Sequence, residues 1–231
     1  MPDEVKDLRA ANEALKEFVA VAAHEIRGPM AAILGYAATM QRKWDDLPAE
    51  EKKEFLGIIE RRSRYLTRLL DSLLTISKIE AGALEVRPEG LDVGRAVEQA
   101  LEDLPERSQV VVRCPPGVRV FADPDHVERV LVNFVRNAQK YGKPPIEVEC
   151  AEEGDDLVLT VSDRGDGIPD DFAAKLFEKF ARATVEPTER GAGLGLSIVR
   201  GLARANGGDA WYEPDHPKGS RFRARFPKGA L

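Results

Sequence analysis

Apolar residues return every seven positions along the start of the chain, and that period limits what the segment can become. Val5, Val19, Ile26, Ile33 and Met40 fill one position of the repeat, with Asn12 interrupting it. Leu8, Leu15, Ala22 and Tyr36 fill the second. A repeat of this length marks helices that pack along one another through a shared seam. The same helix carries His24, one of only three histidines. The register puts His24 diametrically opposite the seam, so the helix buries its stripe and holds the imidazole in solvent, where another molecule can reach it. Glu25 follows at once. Neighbouring side chains on a helix of 3.6 residues per turn point about 100° apart, so adjacency alone does not aim the carboxylate at the ring.

This first helix is expected over Asp3–Lys43, kinked rather than ended by Gly28-Pro29, because proline removes one backbone hydrogen bond. The turn Trp44-Asp45-Asp46-Leu47-Pro48 leads into a second helix over Ala49–Glu80, with Pro48 well placed at its start. The stripe of that helix is Phe55, Ile58, Ile59, Tyr65, Leu66, Leu69, Leu73, Ile76 and Ile79. Two amphipathic helices joined by a short turn make an antiparallel hairpin. Two helices alone cannot enclose that much apolar stripe. Two hairpins should therefore pair into a four-helix bundle, which makes the chain a homodimer.

After Ala81-Gly82-Ala83 the pattern changes to short strands and helices. Strands are expected at Leu84–Arg87, Gln109–Arg113, Arg119–Phe121, Ile146–Ala151, Leu157–Ser162, Ala210–Tyr212 and Arg221–Phe226. Helices are expected at Val93–Leu101, capped by Asp92, and over Asp125–Tyr141 and Leu194–Asn206. The fold class is α+β: a helical hairpin followed by an α/β sandwich with helices on one face of a mixed sheet. A net charge of -6 argues against broad nucleic-acid binding. No apolar run approaches the ~20 residues that cross a bilayer, and no signal-peptide core is present, so the chain is expected to be cytoplasmic or the cytoplasmic piece of something longer. Cys114 and Cys150 lack CxxC spacing, which suggests neither a metal site nor a disulfide framework.

Three stretches of the second domain carry chemistry. In Asn133-Phe134-Val135-Arg136-Asn137-Ala138-Gln139-Lys140-Tyr141, the residues Asn133, Asn137 and Lys140 share one helical face. Two amides and an ammonium in a row can hold a metal ion and phosphates. Asp163-Arg164-Gly165-Asp166-Gly167 follows a strand; its first carboxylate can accept a hydrogen bond from an exocyclic amine such as adenine's, while the glycines let backbone approach a flat ligand. Gly191-Ala192-Gly193-Leu194-Gly195-Leu196 opens a helix, where free N–H groups and the dipole favour phosphate. The spacing fits neither GxGxxG after a strand nor GxxxxGK[ST].

In this order the stretches resemble the catalytic core of a sensor histidine kinase of two-component signalling. His24-Glu25-Ile26-Arg27-Gly28-Pro29 is similar to the phosphoacceptor H box and Asn133–Tyr141 to the N box. Asp163–Gly167 is similar to the G1 box, Phe177-Glu178-Lys179-Phe180 to the F box and Gly191–Leu196 to the G2 box. The resemblance implies residues 1–18 as a coiled-coil helix bringing signals in, 19–82 as the dimerisation and phosphotransfer domain, and 83–231 as a Bergerat-type ATP-binding domain. It implies His24 as nucleophile toward the ATP γ-phosphate, with Glu25 as base or orienting partner. Asn137 would ligate Mg²⁺ with Asn133 in support, Lys140 and Arg182 would meet phosphates, Tyr141 would flank the nucleotide and Asp163 would recognise adenine. Gly165, Gly167, Gly193, Leu194 and Gly195 would line the nucleotide, and the stretch between the glycine boxes would be a mobile lid. The partner would be the receiver domain of a response regulator.

Two positions depart from the family pattern. Gly28 stands where the family often has Thr or Asn, one turn after the His, a position the resemblance ties to dephosphorylating the partner; weak phosphatase activity is expected. Asn206 stands before Gly207-Gly208 where the family often has His, and packing is its expected role. ATPases of the chaperone and gyrase kind are similar but use a Glu in the N box to activate water. Here the candidate positions are Asn133 and Asn137, which disfavours hydrolysis. The alternative is a dimeric scaffold that binds nucleotide and docks a regulator without catalysis, against which the intact boxes argue.

Overall fold

Two long helices lead the chain, α1 over Pro2–Lys43 and α2 over Ala49–Glu80. The computed structural model describes the backbone of residues 2–102, 104, 106–182, 192–215 and 218–229, with side chains from residue 12 onward except residue 14. α1 runs on through Pro29. It turns where the amides of Asp46 and Leu47 both donate to the Lys43 carbonyl, at 3.1 and 3.0 Å. Glu50 and Glu51 sit in the first turn of α2, where the helix dipole favours carboxylates. Gly82 at φ 60° ends that helix, with the Ala83 amide donating back to the Lys78 carbonyl at 2.9 Å. Contacts divide the chain into two compact units, Met1–Leu74 and Thr75–Leu231.

In the first unit Ala22, Met40 and Leu69 are buried, and the Tyr36 and Phe55 rings meet across the hairpin with centroids 4.9 Å apart. Seam residues Leu15 and Val19 are exposed in the single chain, as are Met30 and Leu34. On α2 the exposed apolar residues are Leu56, Leu70 and Leu74, on a face outside the stripe read from sequence.

The second unit contains the last turns of α2 and an α/β sandwich. Its strands are β1 (Glu89–Asp92), β2 (Val110–Arg113), β3 (Arg119–Ala122), β4 (Ile146–Glu153), β5 (Asp156–Asp163), β6 (Asp209–Pro214) and β7 (Ser220–Pro227). Its helices are α3 (Val93–Glu102), α4 (Pro124–Tyr141), the single turn α5 (Asp170–Ala173) and α6 (Gly195–Ala205). Among the described residues the main sheet runs β2-β4-β5-β7-β6, with β2 parallel to β4 and the other pairs antiparallel. β1 and β3 form a separate antiparallel pair.

The core lies between helices and sheet. Val130, Leu131, Phe134 and Val135 of α4 and Ile198, Val199 and Leu202 of α6 are buried together with Ile146, Leu157, Leu159 and Phe226 of the strands. The Phe134 and Phe222 rings lie 5.6 Å apart. Burial of each such side chain contributes roughly 1.5–3 kcal/mol. On β7 arginines alternate with this core. Arg223 lies over the Trp211 ring, bonds Glu213 at 3.1 Å and pairs with Glu153. Within this unit the end of α2 packs on α6: a Cβ added at Gly201 would lie 2.6 Å from Ile79 Cδ1, and Glu80 pairs with Lys179.

Two expectations are corrected. No strand forms at Leu84–Arg87; the segment is a connector whose Arg87 amide donates to Asp123 Oδ2 at 2.8 Å, and the strand follows at β1. Cys114 and Cys150 form a disulfide with a Cα–Cα separation of 4.6 Å. The parallel register explains it: Arg113 lies opposite Glu149, so the next residue along each strand is a cysteine. Among the described residues, no helix is long and apolar enough to cross a membrane, and no group of three or more His, Cys, Asp or Glu could hold a metal ion.

Candidate active site

In the first unit His24 is exposed on α1, as its position opposite the seam predicts. Glu25 beside it is half-buried and turned toward the second helix of the hairpin, where the Tyr65 hydroxyl donates to its Oε2 at 3.2 Å. One turn beyond His24, Gly28 has nothing within 4 Å of where a Cβ would stand. A side chain would fit there, so steric pressure does not explain the glycine.

In the second unit Asp163 closes β5 with only 3% of its surface exposed. Its Oδ1 accepts from the Gly165 amide at 2.7 Å. Burial pushes its carboxyl above the ordinary range, hydrogen bonds from Gly165 and Ser220 pull the other way, and the Asp215 charge adds to the rise. Glycines make room for it. A Cβ at Gly142 would lie 2.6 Å from Asp163 Oδ1, one at Gly165 would lie 2.8 Å from the same atom, and one at Gly219 would run into the Asp163 carbonyl. Gly167, at φ 80°, lies against the Gly219 carbonyl.

Pro124 and the Asp123 cap, which accepts from the His126 amide at 3.3 Å, start α4. Along its face stand Asn133 and Asn137, both half-buried, then exposed Lys140 with Nζ 5.1 Å from the centroid of the exposed Tyr141 ring. Tyr141 leads directly into Gly142, so this face ends at Asp163. At its other end Asn133 donates to the Arg129 carbonyl at 2.7 Å, and its Oδ1 would lie 2.8 Å from a Cβ on Gly195, the first residue of α6. Leu194 is buried. Gly193, at φ 70°, lies so close to Phe180 and Ala181 that a Cβ would stand 2.7 Å from the Ala181 carbonyl oxygen. Arg200 of α6 lies 5.3 Å from the Phe177 ring.

A run of contacts thus leads from Gly165 and Asp163 through Gly142 to Tyr141, along the α4 face past Lys140 and Asn137 to Asn133, and on to Gly195 with Gly193 and Leu194 just before it. Arg182 is exposed at the edge of the described residues. Gly191 and residues 183–190 of the expected lid lie outside them. Sequence patterns do not mark Gly142, Gly219 or Ser220, and they place Tyr65 only in the apolar stripe of α2. Only Gly142, next to the N-box run, offered a local signal. Asn206 is a packing residue: it accepts from the Asp123 amide at 3.0 Å and donates to the Leu202 carbonyl at 2.8 Å, with its amide nitrogen 3.0 Å from His126 Nδ1. It ties the end of α6 to the start of α4.

Residues 122–230 match the family model described as histidine kinase-, DNA gyrase B-, and HSP90-like ATPase, and residues 14–82 match the His Kinase A (phospho-acceptor) domain. The circadian input-output histidine kinase CikA of Synechococcus elongatus is 33% identical over an alignment of 238 positions, covering 96% of this chain and 31% of CikA. The crystal structure of full-length ShkA in complex with AMPPNP is similar at 26% identity and a TM-score of 0.64, over 93% of this chain and 47% of that one. Histidine kinase ThkA, solved in complex with the response regulator protein TrrA, shares the fold with a TM-score of 0.71 at 24% identity, over 96% of this chain and 64% of that one. The chain spans less than half the length of curated relatives such as CikA.

Proposed function

Because this chain belongs to the family of sensor histidine kinases, we propose that it transfers the γ-phosphoryl group of ATP to His24 and then to an aspartate of a response regulator. The observation that carries this reading is the run of contacts from Asp163 through Gly142 and along α4 to Gly195, which offers an adenine acceptor at one end and helix N–H groups at the other. The Asp163 carboxylate accepts from the adenine amine in the space that Gly142, Gly165 and Gly219 leave. Lys140 and Arg182 meet phosphates, and Tyr141 flanks the nucleotide. The half-buried Asn137 amide fits a divalent ion that takes most of its ligands from water and phosphate. Mg²⁺ bound there would neutralise charge on the transferred group. Phosphoryl transfer demands positioning and charge neutralisation more than covalent help. A nitrogen of His24 bonds to the γ-phosphorus as the bond to the ADP oxygen breaks, and the imidazole proton leaves to Glu25 or water.

Residues 1–18 then bring signals in, 19–82 dimerise and carry the acceptor, and 83–231 bind ATP. The exposed faces of the hairpin support a homodimeric four-helix bundle, and the complex of ThkA with a regulator supports a receiver domain as the partner here. Gly28, with no side chain to orient a water, supports weak phosphatase activity. The test is incubation with radiolabelled ATP and Mg²⁺. Wild-type protein becomes labelled, while His24→Gln and Asn137→Ala do not. Label at wild-type level on His24→Gln overturns the assignment, and nucleotide binding without any label favours the silent scaffold.

A further inference from the structure

We infer that Tyr65 is a positioning residue for phosphorylation of His24, acting through Glu25. This rests on the reading of His24 as the acceptor. Helix geometry leaves the Glu25 carboxylate about 100° around α1 from the imidazole, so a contact from the other helix can help to fix where it points. The hydroxyl of Tyr65, donating to Glu25 Oε2 at 3.2 Å from the other helix of the hairpin, does so. Both residues are half-buried while His24 is exposed, so the contact sits inside the hairpin and the reacting ring outside it.

The contact holds one oxygen of a side chain with three rotatable bonds, which removes rotamer freedom before the nucleotide arrives. The imidazole proton that leaves as the nitrogen–phosphorus bond forms then meets a carboxylate already oriented. None of this touches ATP, so the effect falls on the rate at saturating nucleotide and not on nucleotide affinity.

The experiment measures labelling by radiolabelled ATP in the full chain carrying Tyr65→Phe, Glu25→Gln or both, beside His24→Gln. Tyr65→Phe keeps the ring and removes only the hydroxyl. It should slow labelling at saturating ATP roughly tenfold or more, the loss typical of a hydrogen bond to a charged group, while the KM for ATP and the thermal unfolding midpoint stay put. In the Glu25→Gln background the same substitution should change little, because the charged acceptor is gone. If Glu25→Gln shows no label at all, the split between rate and KM in Tyr65→Phe decides. Label surviving in His24→Gln overturns the reading of the acceptor and this proposal with it. Label lost in His24→Gln, with Tyr65→Phe labelling at wild-type rate, with a raised KM, or equally slowed with and without Glu25, overturns the role of Tyr65 alone.

Discussion

The two units treat their candidate functional groups in opposite ways. In the second, Asp163 is almost sealed, 3% exposed, behind a core in which Phe134, Phe226 and Leu159 show no surface at all. In the first, His24 stands in solvent on a hairpin whose Leu34 and Leu74 are 65% and 63% exposed. Sealing suits discrimination: away from water, a carboxylate distinguishes an amine from a group that cannot donate, because a missing partner leaves the charge unsatisfied. Exposure suits relay. Under the proposed function the imidazole meets a nucleotide and then a regulator, and a group visited by two partners cannot be enclosed for either. The sandwich completes its core within one chain, whereas the hairpin leaves apolar faces exposed, which under the proposed function pack on a second copy.

The strongest way to break this comparison is to attack the open faces. Leu74→Lys should weaken the dimer by a hundredfold or more, since two copies each lose roughly 1.5–3 kcal/mol of burial. Sedimentation checks it, and a folded wild-type monomer at micromolar concentration would remove the contrast. Next in size is the disulfide, which belongs to the closed unit alone. Cys114→Ser should lower the stability of the second unit by about 4 kcal/mol on the chain-entropy argument for the 36-residue separation. The unfolding transition of the hairpin should not move.

A third test asks what sealing Asp163 costs. Its folded pKa is raised by burial, so its contribution to stability is fully present below the unfolded value of 3.8 and lost as pH rises through the folded value. Asp163→Asn should therefore abolish ATP binding, read by calorimetry, without lowering the thermal midpoint of the free protein at neutral pH. A large drop in that midpoint would show the carboxylate to be structural. The smallest effect concerns His126, whose pKa is lowered by burial, with Arg129 adding to it and Asp123 and Asp125 opposing. A depressed histidine supports stability above its unfolded value of 6.5 and loses that support as pH falls toward the folded value. Denaturant titrations from pH 7 to about 5 should show the second unit weakening, and His126→Gln should flatten the slope.

How much was legible follows the range of the interactions. α2 was read to its observed ends, and the β4–β5 hairpin was placed, because their patterns are local. β1 was not. Glu89-Gly90-Leu91-Asp92 carries little strand propensity and is extended only because Leu91 lies opposite Val120 and Gly90 opposite Phe121. The disulfide escaped for the same reason: it depends on a parallel register that no spacing encodes. At the candidate site the motifs supplied Asp163, Gly165 and the α4 face, but not Gly219, which meets Asp163 only across the β5–β7 pair. Leu56, Leu70 and Leu74 fell outside the stripe drawn on α2 because one helix here carries two apolar faces.

The bond from Tyr65 to Glu25 also gives the hairpin a mechanical property. Side-chain tips ride about 5–6 Å from a helix axis, so turning α1 by about 10° sweeps them through roughly 1 Å. A contact of 3.2 Å stretched by that amount is no longer a hydrogen bond. Sliding α1 along its axis by one residue, about 1.5 Å, does the same. The bond between Glu25 and Tyr65 thus reports the angular setting of α1 within the hairpin, and a rotation of a few degrees is enough to break it.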